Sequence, residues 1–89
     1  MDEVLLRREF GRRIRRRRRA LDMTQRQLAQ QIDMLQTQLS RLENGEYHAV
    51  NLAKLVLLAD VLHTTVDYLL GRSNEAGEVP ESQVYARVA

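Results

Sequence analysis

The chain has 89 residues, a formal charge of +2 and no cysteine. That length holds one compact domain with a modest core, and the absence of thiols excludes a disulfide framework and a thiolate metal site. The longest apolar run, residues 55–59, is fenced by Lys54 and Asp60 and is too short to span a bilayer. The start, Met1-Asp2-Glu3, has no leader pattern, so a cytoplasmic protein is expected.

The small net charge hides a lopsided distribution. Nine arginines lie between Arg7 and Arg19 against one acid, Glu9, whereas Glu75, Glu78 and Glu81 face only Arg87 beyond Arg72. A basic front half calls for a polyanionic partner, either nucleic acid or an anionic membrane.

In chain order, residues 2–21 are predicted as a first helix, with Leu6, Phe10, Ile14 and Leu21 at helical spacing and only Gly11 interrupting. Five consecutive arginines, Arg15 to Arg19, turn about 100° per residue and so sweep round the whole helix. Arg17 and Arg18 fall between Ile14 and Leu21, where a guanidinium needs a carboxylate or must snorkel. Thr24 and Gln27 have capping-box spacing and open a second helix whose apolar stripe is Leu28, Ala29 and Ile32. After the link Asp33-Met34-Leu35, residues 36–43 form a third helix with Leu39 and Leu42 inward, closed by Asn44-Gly45.

Residues 52–62 are predicted as a fourth helix capped by Asn51, with Leu52, Leu55, Leu58, Ala59 and Leu62 toward the core. Thr65 caps a short fifth helix over residues 66–70, which Gly71 ends. The fold expected is all-α, a compact five-helix domain over residues 1–71. Residues 72–89 read as a polar, acidic, flexible tail with Val84, Tyr85 and Val88 as its only apolar anchors.

The third helix carries the functional signal. Its outward residues are Gln36, Thr37, Gln38, Ser40 and Arg41. Glutamine pairs with adenine at two points, arginine with guanine, and the threonine methyl packs on that of thymine. Such types are base-reading types, whereas an idle wet face more often carries Glu and Lys.

The pattern extends further. Phe10-Gly11…Ile14, Leu21-Asp22-Met23-Thr24-Gln25…Leu28-Ala29…Ile32, Leu39-Ser40-Arg41-Leu42-Glu43-Asn44-Gly45, and Leu52…Leu55…Leu58-Ala59…Leu62…Val66-Asp67-Tyr68-Leu69-Leu70-Gly71 together resemble the Cro and phage-repressor type of helix-turn-helix domain, of the xenobiotic-response-element family of regulators. The likeness covers about residues 10 to 71. It implies a helix-turn-helix made by helices two and three, with Gln36, Thr37 and Arg41 at base edges and Gln25 and Asn44 on the phosphate backbone. It also implies an ion pair between Arg18 and Glu43. The arginines Arg12, Arg13, Arg15 and Arg16 are expected to touch phosphates without reading sequence.

The sequence departs from the family where Asp33 replaces a turn glycine, Leu35 a Ser or Thr cap, and Arg17 an apolar residue. Glu46 and Tyr47 stand where basic residues are frequent. Leu57 stands where relatives commonly carry a charge; with Ala53 and Val61 it makes a second apolar stripe, a candidate dimer contact. His48 and His63 have no acidic or cysteine company, so no metal is expected. No catalytic constellation and no cofactor site can be read, so an enzyme is not expected. The function expected is that of a bacterial or phage transcriptional regulator, a repressor binding a near-palindromic operator as a homodimer. An antitoxin or a restriction-system controller with its own partner protein has the same architecture. A protein-interaction module without DNA binding and a membrane-binding first helix are the rivals.

Overall fold

A computed structural model describes residues 2–46 and 50–73. Tyr47, His48 and the apolar positions Val84, Tyr85 and Val88 lie outside the described residues. The described residues form five helices and no strand: α1 (Glu3–Ala20), α2 (Gln25–Gln31), α3 (Gln36–Glu43), α4 (Leu52–Val61) and α5 (Val66–Leu69).

Four helices begin at a side chain that accepts from the first turn, as short polar residues do where backbone N–H groups lack partners. Asp2 accepts from Val4, Asn51 from Lys54 and Thr65 from Tyr68. Thr24 accepts from Gln27, whose side chain accepts from the Thr24 N–H in return. The exception is α3. Leu35 supplies no cap, although its N–H donates to Gln38 Oε1 at 3.2 Å.

All five helices end the same way. In each, the residue after the C-cap is left-handed: Asp22, Asp33, Gly45, His63 and Gly71, with φ of 55°, 52°, 78°, 52° and 77°. The following N–H turns back on the last turn, as in Met23 to Arg18 O, Met34 to Ala29 O, Glu46 to Arg41 O, Thr64 to Ala59 O and Arg72 to Asp67 O. These are Schellman closures, and they keep the links short enough to fold the chain tightly. Asp33 thus takes the conformation usual for a glycine in the helix-turn-helix turn, and Lys54 from α4 secures that turn by donating to Ile32 O and to Asp33 O. A cation there also meets the negative end of the α2 dipole.

The core comprises Phe10, Ile14, Leu28, Ala29, Ile32, Leu39, Leu42, Leu58, Ala59, Leu62, Tyr68 and Leu69. Phe10 and Ile14 are therefore not available to a membrane, and no helix among the described residues is long and apolar enough to cross one. Leu52, expected in the core, is 76% exposed. It stands in the first turn of α4, where the apolar stripe overshoots the surface it packs on. Leu57 and Val61 of the second stripe pack partly against the core, and Ala53 is exposed.

Candidate nucleic-acid interface

Helix α3 buries Leu39, Leu42 and Glu43 against α1 and α2 and turns its other side outward. Gln36, Thr37, Arg41 and Asn44 are exposed, and Ser40 is half-buried. Spacings of three and four residues put them on one face. Gln38 is half-buried and uses its side-chain oxygen on the Leu35 N–H, which leaves only its amide group free to face outward. Leu35 itself is 66% exposed beside Gln36. Sequence reasoning treated it only as a missing cap; its apolar surface at the tip of the outward face becomes visible only in three dimensions.

Behind this face lies a buried hub. The Glu43 carboxylate is fully buried and accepts from Arg18 Nε at 2.7 Å and Arg18 Nη2 at 3.0 Å. It also accepts from Gln25 Nε2 at 3.0 Å and from Arg15 Nε at 3.4 Å. Burial alone would raise its pKa, but the hydrogen bonds from Arg18, Gln25 and Arg15, with the Arg18 charge, hold it below the ordinary 4.5. The hub joins the start of α2, the end of α3 and the C-terminal turns of α1, so it fixes how the two helices of the motif present themselves. Gln25, expected on phosphate, here gives its amide group to Glu43. Asn44 is exposed, and its Oδ1 accepts from Arg15 Nη2 at 2.6 Å.

The arginines of α1 divide into two sets. Arg13, expected on phosphate, is instead buried: it donates to Glu9 at 2.7 Å, to Tyr68 O at 2.9 Å and to Ser73 O at 2.6 Å, with its guanidinium over the Tyr68 ring. It therefore ties α1 to the end of α5. Arg17 is also buried and donates twice to Leu62 O, closing the end of α4. Arg17 satisfies a carbonyl that the helix end leaves open, which explains an arginine at a position where an apolar residue is usual. Arg12, Arg16 and Arg19 are exposed and Arg15 half-buried, and these four line one shallow recess. Arg12 bonds to Glu9, and the hydrogen bonds from Arg12 and Arg13 lower the Glu9 pKa to about 2.

Two short helices linked by a tight turn, the second with an outward polar face and a basic flank, define the helix-turn-helix class of DNA-binding domain. Residues 14–69 match the helix-turn-helix family model of the Cro/C1 type, and the chain belongs to that family of DNA-binding transcription regulators. No curated protein matches the chain.

Proposed function

We propose that the chain is a sequence-specific repressor that inserts α3 into the major groove of a near-palindromic operator as a cytoplasmic homodimer. The observation that carries this is the single outward face of α3, on which Gln36, Thr37 and Arg41 stand exposed. Gln36 and Arg41 have the donors and acceptors for two-point base contacts; Ser40 and the free amide of Gln38 supplement them. Asn44, Arg12, Arg15 and Arg16 meet the flanking phosphates, joined by Gln25 when its amide exchanges Glu43 for phosphate.

Selection of sites from random duplex DNA tests the reading. Replacing Arg41 or Gln36 with alanine is expected to cost about 1–3 kcal/mol at its own base pair and to relax preference there. Full affinity and unchanged preference in both variants would reject the assignment of α3.

Leu35 adds an apolar contact to this set. Its exposed side chain at the entry of α3 fits the C5-methyl of a thymine. Uracil substituted for thymine along the selected site should cost the wild type about 0.8 kcal/mol at one position, the worth of one buried methyl. Leu35→Ala should no longer register that change. If the two proteins respond alike at every thymine, Leu35 does not touch one.

Pairing of two copies places two reading helices about one DNA turn apart. Of the candidate contacts, Ala53 is the most exposed, whereas Leu57 and Val61 lean on the core. Sedimentation with a symmetric site is expected to show two chains per duplex; one chain per duplex would remove the dimer.

A further inference from the structure

The outer face of α1 presents more positive charge than the proposed operator contact uses. Arg8, Arg12, Arg15, Arg16 and Arg19 follow one another at helical spacing opposite the buried residues Phe10, Ile14 and Arg17. Over twelve residues they form a stripe roughly 16 Å long. Among the described residues of this stripe, Arg15 hydrogen-bonds to the end of α3, through Asn44 and Glu43, and Arg8 packs beside Gly45 just past it. Arg12 and Arg16 lie about 60° and 100° further round the helix, away from α3 and toward Glu9 and Arg13. Among the described residues, the side chains of Arg8, Arg16 and Arg19 make no hydrogen bond or ion pair.

Ser73, the last described residue, lies at the edge of this stripe. Ser73 O accepts from Arg13 Nη1, and Arg13 shares an oxygen of Glu9 with Arg12. Gly71 is packed so close to Glu9 that a Cβ there would lie 3.1 Å from Glu9 Cγ. Just beyond come Glu75, Glu78 and Glu81, with no basic residue until Arg87. An extended chain covers at most about 3.5 Å per residue, so the glutamates can stand roughly 10 Å apart and reach any point of the stripe.

We propose that the segment carrying Glu75, Glu78 and Glu81 docks on Arg12, Arg16 and Arg19, holding carboxylates where DNA phosphates would otherwise sit. The docking stands on charge complementarity and the position of Ser73. Its effect, competition with DNA for the arginines, rests on the function proposed above. Each exposed pair is weak, but the tether supplies a high local concentration of carboxylate. A weak in-chain competitor penalises chance contacts held only by phosphate more than operator contacts that also read bases.

The test uses the full chain with Glu75→Gln, Glu78→Gln and Glu81→Gln combined. Without DNA, the side-chain Nε–Hε NMR signals of Arg12, Arg16 and Arg19 are expected to shift in the variant, while those of Arg13 and Arg18 stay. Wild-type signals should move the same way when salt is added. Unmoved stripe signals overturn the docking, whether or not the protein binds DNA.

With random duplex at low salt, the variant is expected to bind about three- to tenfold tighter, the summed effect of three exposed pairs. The gain should fade near 0.5 M salt, where screening shortens to about 4 Å. It should also vanish when Arg12, Arg16 and Arg19 are first changed to glutamine. A gain that persists in that background is general charge repulsion and overturns the competition. If no form binds DNA, the proposed function fails while the NMR result still decides the docking.

Discussion

Alanine at Gly11 is expected to destabilise the domain by about 3 kcal/mol, at the upper end of what overpacking costs. Propensity alone predicts the reverse, because glycine inside a helix is about 1 kcal/mol worse than alanine. The structure decides between the two. A Cβ at Gly11 would lie 2.6 Å from Glu43 O and 2.8 Å from Glu43 C, and nearer still to Leu42 O. All three are backbone atoms of α3, so no side chain can swing aside. Either α1 and α3 separate, which also pulls Arg18 from Glu43, or the variant does not fold. Urea unfolding followed by circular dichroism measures this, and a Gly11→Ala protein as stable as wild type would mean the helices are not in this contact.

Loss of the Glu43 carboxylate should be at least as damaging. Glu43→Ala strands Arg18, whose guanidinium is itself buried, and leaves Gln25 without its acceptor. Removing one member of a buried pair costs about 3–5 kcal/mol. The charge can be separated from the shape with Glu43→Gln and pH. Because the folded protein holds Glu43 below its ordinary 4.5, its contribution is complete above about pH 4.5 and declines as pH falls through the lowered folded value. Glu9, held at about 2, adds a smaller decline between pH 4.5 and 2, damped because it is partly exposed. Wild-type stability should therefore fall on acidification more steeply than that of Glu43→Gln. Parallel acid profiles would show that Glu43 does not draw stability from its charge.

The helix boundaries were legible because they depend on neighbours in the chain. Thr24 and Gln27 announce a capping box, and Asn44-Gly45 a left-handed exit, within four residues. The outward face of α3 was legible for the same reason, since one period separates Leu39 and Leu42 from Gln36, Thr37 and Arg41. Arg13 was misplaced because, beyond Glu9 one turn away, the partners that draw it inward are carbonyl oxygens of Tyr68 and Ser73, some sixty residues away. A carbonyl belongs to every residue type, so nothing in the sequence marks it as a partner. Leu52 failed differently. Periodicity tells which way a side chain points but not where the opposing surface ends, and α4 begins past that end. Gln25 was placed on phosphate by family likeness, while its bond to Glu43 depends on the distance between α2 and α3.

The five consecutive arginines also set a register. Deleting any one of Arg15 to Arg19 yields the same shortened chain, with the charge lowered by one and the composition otherwise intact. Yet everything before the deletion would turn about 100° relative to everything after it. An arginine still stands at each of positions 15–18, so Phe10, Gly11, Ile14 and Arg18 keep their register, and the turn falls instead on Leu21 and Met23, which pack on the core before α2. Either α1 or the entry to α2 could then dock as before, but not both. A stretch that reads as monotonous basic filler is thus the part of the chain least able to change length.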